Sequence, residues 1–374
     1  MNPHVIEALA GRLTLPGRRG ACRFATRTPA GTETLRIHLD PASDWTSPGA
    51  FEVAPGLFRI PLPLPNDGLR AVNVYALLDD SGVGLIDSGW AIPAARVQLE
   101  YALALLGRSI GDIRRIVVTH VHRDHYTQGV ALRREFGSRL SLGAGEKPSL
   151  ELVMRAGHGI AMARLDELRR NGAGKIVEAA RKIFTVETNQ SIWAVPDEWL
   201  HPGRIELGGR VLEAIATPGH TAGHLVFHDA SRGHLFAGDH VLPTITPSIG
   251  FEPTLAVNPL RDFMESLASV RSMPDARLLP AHGPVTPSVH ARIDELLAHH
   301  VARLDATEAA IRGGAATAFG VAKVLLWTRR LRRFDELDTF NQILAVAETA
   351  AHLMLLASQG RCTMTITEDV RRFD

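Results

Sequence analysis

The stretch "VVTHVHRDHYTQG", residues 117–129, places three imidazoles and a carboxylate within six positions: His120, His122, Asp124 and His125. Imidazole nitrogen and carboxylate oxygen are good donors to divalent transition metals. The apolar run before His120 reads as a short strand that delivers these donors to a loop. Alternation puts His120 and His122 on one side, and a tight turn brings Asp124 and His125 to an adjacent point. Four donors from one loop make one and a half metal sites, so the set must be completed from elsewhere.

Three other segments end in the same way. "AIATPGHTAGH" carries His220 and His224 just after an apolar strand, "HLFAGDH" carries Asp239, and "RLLPAHG" carries His282. Asp87 ends the strand-like "GVGLIDSG". A lone histidine is ordinarily a hydrogen-bonded structural residue. Donors at the ends of four separate strands instead suggest a site along one edge of a sheet assembly.

The set resembles the metallo-β-lactamase fold superfamily: an H-x-H-x-D-H motif, a "GHTxGH" histidine, a "GD" aspartate, a late histidine before glycine, and a "DSG" strand end. The resemblance runs from residue 51 to about 285. It implies an α+β fold, an αββα sandwich with a two-metal site at one edge. Carried over by position, one ion would bind His120, His122 and His220. The other would bind Asp124, His125 and His282, with Asp239 bridging the two. Asp87 and His224 would join Asp124 in the catalytic set by orienting ligands through hydrogen bonds. The cofactors expected are two divalent ions. A nitrogen and oxygen donor set without thiolate favours zinc, and iron or manganese also fits.

Two such ions would generate a bridging hydroxide at neutral pH and polarise a carbonyl or phosphoryl oxygen. The expected function is therefore hydrolysis of a small ester, thioester or lactone, with Asp124 directing the attacking group. No G-x-S-x-G elbow or matched Cys/His pair argues for a covalent route. Glyoxalase II-type thioesterases carry the same ligands, but their glutathione-binding basic residues have no match here. Two rivals remain: a nuclease-type phosphodiesterase, which the basic "TRRLRRF" (residues 328–334) would serve, and an iron-dependent oxidoreductase on the same scaffold.

The elements that must position these residues alternate between strand and helix patterns. "FEVAPGLFRIPLPLP" reads as an edge strand because of its prolines, and "PAARVQLEYALALLG" as a helix with proline in its first turn. Residues 1–50 form an N-terminal extension with one strand near residues 33–39. Residues 51–286 form the catalytic domain, with 148–202 as a helical cap. Residues 287–374 form a mainly helical, winged-helix-like domain, in which "AFGVAKVLLWTRRL" reads as helix and the basic cluster as its solvated face. Tyr126 suits a packing or substrate role, Trp193 and Trp199 suit anchoring, and His240 and His300 read as surface or locally bonded groups.

Composition is ordinary for a globular chain of 374 residues: 45% apolar, 22% charged, net charge +1. No global field recruits nucleic acid or an acidic membrane. The two cysteines, Cys22 and Cys362, do not form a disulfide framework. No secretory h-region or continuous 18-residue apolar run is visible. The chain therefore reads as cytoplasmic, with a small-molecule substrate, no membrane or nucleic-acid partner, and a homodimer as the oligomer to test.

Overall fold

The segment "GVGLI" and the second half of "IRRIVV" are apolar on both faces, the pattern of strands covered on both sides. They lie inside the first of two stacked sheets. The computed structural model describes residues 44–374 and the strand His38–Leu39, apart from residues 66–67, 157, 185–189, 253 and 255. Most of the 1–50 extension, Cys22 and the first part of the strand expected at 33–39 lie outside the described residues. Residues 37–374 form one compact unit.

The first half of the chain runs β1 (His38–Leu39), β2 (Phe51–Ala54), β3 (Leu57–Pro63), β4 (Ala71–Asp79), β5 (Gly82–Ile86), α1 (Pro93–Leu105), β6 (Ile113–Val118), α2 (Arg123–Phe136) and β7 (Arg139–Gly143). Three helices follow, α3 (Lys147–Ala156), α4 (His158–Arg170) and α5 (Val177–Phe184), and then β8 (Glu198–Leu200). The second sheet is built from β9 (Gly203–Leu207), β10 (Arg210–Ala216), β11 (Leu225–Asp229), β12 (His234–Gly238) and, after α6 (Pro259–Arg271), β13 (Arg277–Pro280). The chain ends with α7 (Val289–Arg312), α8 (Ala318–Val324), α9 (Thr339–Ser358) and the hairpin β14 (Met364–Thr367) and β15 (Val370–Phe373).

Strands β1 to β8 lie in sequential order in one sheet, and the other runs β13-β12-β11-β10-β9. Leu77, Ile86 and Val117 of the first sheet meet Leu212, Phe227, Phe236 and Leu279 of the second in a shared core. The outer face of the first sheet packs on α1 and α2. That of the second packs on helices α4 to α9. The four layers are the αββα sandwich the motifs implied. Helices α4 and α5 share their core with α7 to α9, and Arg371 of β15 pairs with Glu167 of α4.

Three local expectations are corrected. The proline-rich edge strand is the hairpin β2–β3, and β3 is interior. β2 pairs with β3 only as far as Arg59, so Pro61 and Pro63 fall where, among the described residues, β4 is the sole neighbouring strand. A missing N–H is tolerated there. The helix expected over 318–331 stops at Val324. Trp327 folds back to donate its indole N–H to the Ala322 carbonyl and bridges to Arg332, while Thr328 and Leu331 take positive φ. The basic cluster is thus an exposed turn rather than a helix face. Third, α9 is long and apolar enough to cross a membrane by length and composition, although no continuous apolar run marks it in the sequence. Here it packs on α5, α6, α7 and α8.

His300 of α7, expected to be a surface or locally bonded group, is the second of these: it faces His352 of α9. Both are fully buried, with His300 Nδ1 3.2 Å from His352 Nε2. Burial, and then each one's proximity to other cationic groups, holds both well below the ordinary imidazole range. They stay neutral in the fold, whereas the unfolded chain protonates them as pH falls through about 6.5. Stability is therefore full above that value and is lost below it, by up to about 1.4 kcal/mol per pH unit for each group. Urea unfolding of metal-free wild type and of a His300→Gln, His352→Gln variant between about pH 8 and pH 5.5 should differ by an amount that is level above about pH 6.5 and shifts against the wild type below it, which isolates these two groups from the other titrating ones. A difference that stays level below about pH 6.5 would contradict the assignment.

Candidate metal centre

Every sequence-predicted donor lies at the same edge of the sandwich, beyond the C-terminal ends of strands. β6 ends at Val118, and the chain turns through His120 and His122 into α2. Asp124 and His125 therefore sit in the first turn of a helix, a correction to the loop expected for them. An acidic residue is favoured at this position by the helix dipole. Asp87, at φ 61°, follows β5 and accepts from the Thr119 N–H at 2.8 Å, which laces the ends of β5 and β6 together. Ser88 donates its N–H and hydroxyl to the His125 carbonyl at 2.9 and 2.6 Å. In the other sheet, the Asp239 N–H donates to His224 Nε2 at 3.2 Å, and His224 Nδ1 meets Thr217 Oγ1 at 2.9 Å. Both His224 nitrogens are thus engaged in holding the Asp239 loop. Asn73 of β4 donates to the carbonyls of Pro280 and Gly283, and the Tyr75 hydroxyl to that of Pro280, which clamps the loop carrying His282.

Two groups of donors result: His120, His122, His220 and Asp239, and Asp124, His125 and His282. In the first, His122 Nδ1 is 3.0 Å from His120 Nε2 and 3.2 Å from His220 Nε2. Asp239 Oδ2 lies 4.0 Å from His120 Nε2 and 3.5 Å from His220 Nε2. In the second, Asp124 Oδ2 is 3.6 Å from His125 Nε2 and 3.5 Å from His282 Nε2. Asp239 Oδ1 completes that group, 3.7 Å from His125 Nε2 and 3.4 Å from His282 Nε2. Donors that share a tetrahedral zinc at about 2.05 Å stand about 3.3 Å apart, close to this spacing.

The remaining nitrogen of each histidine indicates which way its lone pair points. His220 Nδ1 donates to the Ser248 carbonyl at 2.8 Å, His282 Nδ1 to that of Ala71 at 2.7 Å, and His125 Nδ1 to Asp87 Oδ2 at 2.9 Å. His120 Nδ1 meets Thr119 Oγ1 at 3.1 Å. His122 is reversed, with Nε2 donating to Glu252 Oε1 at 2.9 Å and Nδ1 facing the group. A nitrogen that donates outward fixes the tautomer and leaves the inward one a free lone pair. His125 Nε2, His282 Nε2 and Asp239 Oδ1 are buried and have no hydrogen-bond partner in the protein. Unmet buried acceptors are costly, and a divalent cation between them would satisfy all three.

The electrostatics agree. Burial, and then its cationic neighbours, holds His120 well below the ordinary imidazole range. Burial, and then His122, lowers His220 to about 4. In the second group burial opposes charge, but Asp87, Asp124 and Asp239 outweigh it and raise His125 to about 10. Burial also opposes ionisation of Asp124, yet His125 and His282 bring it down to about 2. At His122 burial again opposes charge, but the Glu252 carboxylate outweighs it and raises the ring, so each group holds one imidazole that draws positive charge, a proton when no metal is bound.

Sequence reading missed two carboxylates. Glu252 bonds to His122, and the buried Glu146 accepts from the Thr221 hydroxyl behind His220. Neither stands in a motif, so only the fold reveals them. His240 is buried against Phe263 rather than exposed. Tyr126 is buried, stacks on Trp193 and donates to the Ala194 carbonyl at 2.6 Å, so it anchors the segment before β8.

With sandwich and donor geometry in place, comparison with known proteins assigns the class. The Metallo-beta-lactamase superfamily profile matches residues 67–282, and the chain belongs to that superfamily, whose members are mostly hydrolases. Among solved structures it is similar to a metallo-beta-lactamase family protein from Thermus thermophilus, with 30% identity, TM-score 0.71, and coverage of 86% of this chain and 99% of the other. A Beta-lactamase domain protein from Burkholderia ambifaria gives 30% identity and TM-score 0.70 over 91% and 96%. The "Probable metallo-hydrolase YqjP" of Bacillus subtilis is 25% identical over 315 residues, 82% of this chain and 92% of the relative. The "Beta-lactamase-like protein 2 homolog" of Caenorhabditis elegans is 34% identical over 99 residues, 26% of this chain and only 31% of that relative's length.

Proposed function

We propose that this chain is a two-metal hydrolase acting on a small ester, thioester or lactone. The observation that carries the reading is the position of Asp239, whose two carboxylate oxygens face two different histidine clusters. Divalent ions held there, zinc being favoured by the nitrogen and oxygen donors, would supply Lewis acidity and lower the pKa of a water toward about 7.

The protein's own groups supply direction. Asp124 is the more exposed carboxylate of the donor set, its side chain 15% accessible against 9% for Asp239. It remains ionised at neutral pH, so it can accept a hydrogen bond from the attacking water and aim it. Asp87 fixes the His125 ring, and His224 fixes the backbone that presents Asp239. Helix α3 leaves the first sheet beside this edge, and we assign residues 148–202 to shaping the substrate's approach.

Protein purified without chelator should carry two zinc ions per chain and hydrolyse at least one member of a panel of esters, thioesters and lactones with proton release. Iron accompanied by oxygen uptake would overturn the reading in favour of an oxidoreductase. Salt-sensitive nucleic-acid binding with phosphodiester cleavage would overturn it in favour of a nuclease.

A further inference from the structure

Each donor group contains one histidine backed by a carboxylate. In the second group Asp87 backs His125; in the first, Glu252 backs His122. The other three histidines lean on neutral oxygens of Thr119, Ser248 and Ala71. Two of the three histidines in the first group are therefore oriented from a single irregular segment, His220 by Ser248 and His122 by Glu252. That segment is itself held by the inserted helices. The buried Ser149 of α3 donates to Glu252 Oε2 at 3.1 Å and meets Thr254 Oγ1 at 2.5 Å. Arg164 of α4 lies 4.3 Å over the Phe251 ring.

We propose that Glu252 is a positioning residue for the first metal alone, and that its tether to Ser149 makes retention of that ion depend on the inserted helix α3. A carboxylate that accepts the outer N–H of a ligating imidazole fixes the ring and raises its basicity, and loss of such a partner typically costs about 10–100-fold in metal affinity. Ser149 keeps Glu252 extended toward His122. The inserted helices then do more than border the substrate, because they also hold one half of the centre in register. This inference rests on the two-ion reading.

The test compares Glu252→Gln, Asp87→Asn and their double variant by metal content after dialysis against graded chelator, with the wild type in parallel. Glu252→Gln should release one ion about 10–100-fold more readily, Asp87→Asn the other, and the double variant both. Ser149→Ala should loosen the same ion as Glu252→Gln, by less. The inference is overturned if Glu252→Gln keeps both ions with wild-type affinity, or if the double variant still holds one ion as firmly as the wild type. A wild type with a single ion would sink the two-ion reading instead. The inference then stands if Glu252→Gln weakens that ion and Asp87→Asn does not, and falls otherwise. If Glu252→Gln is not recovered folded, Glu252→Asp, with its carboxylate drawn back by one methylene, decides by the same measure.

Discussion

Asp239→Asn protein is expected to bind neither ion at wild-type affinity and to lose on the order of 10³-fold or more in kcat/KM. Among the described residues, Asp239 is the one side chain whose oxygens reach both donor groups. An amide leaves a single acceptor oxygen and turns an NH₂ donor toward imidazole nitrogens that need to offer lone pairs. Both half-sites are then damaged, one by a lost donor and the other by an N–H that competes for its nitrogens. Metal analysis and steady-state kinetics on the same preparation decide the matter. Retention of both ions with near-normal turnover would remove Asp239 from the bridging position. Asp124→Ala makes a useful contrast, because it strips a donor from the second group only and should leave the first ion bound.

Gly223→Ala should destabilise the metal-free fold by about 4 kcal/mol or more, or prevent its accumulation. The loop from β10 to β11 passes so close to the corner after β7 that an added Cβ would overlap the backbone of Glu146 and Gly145. Backbone cannot swing aside as a side-chain tip can, so the two loops must separate. That corner carries Glu146, whose carboxyl accepts from the Thr221 hydroxyl and so ties the corner to the His220 loop. Burial, and then the nearby Glu252, raises Glu146 to about 8, so it is protonated at neutral pH and its burial carries no ionic cost. Loss of stability should therefore come with weakened metal binding. Urea unfolding and chelator competition measure the two effects, and a change below about 1 kcal/mol would show that the loops can part freely.

The donors were legible in the sequence for a physical reason. Each lies within a few residues of the end of an apolar strand, so its place depends mainly on local periodicity and on where the strand ends. Asp87 directly follows β5 and His224 directly precedes β11, so both are placed by strand ends as well. Glu252 is not, because it reaches His122 across 130 positions from a segment with no regular element. Glu146 was equally hidden, since a buried glutamate in a short turn has no sequence signature. Among the elements, the β2–β3 hairpin was misread because proline was weighed as an edge signal without knowing where β2 stops. The end of α8 was missed because the group that terminates it is the Trp327 side chain, with no glycine or proline to mark the stop.

The donors divide between the two sheets: His120, His122, Asp124 and His125 come from the first, and His220, Asp239 and His282 from the second. Neither donor group is complete until the halves of the sandwich have docked. The cations would then act as rivets across the layers, and a nascent chain showing only its first half would offer stray metals a poor grip.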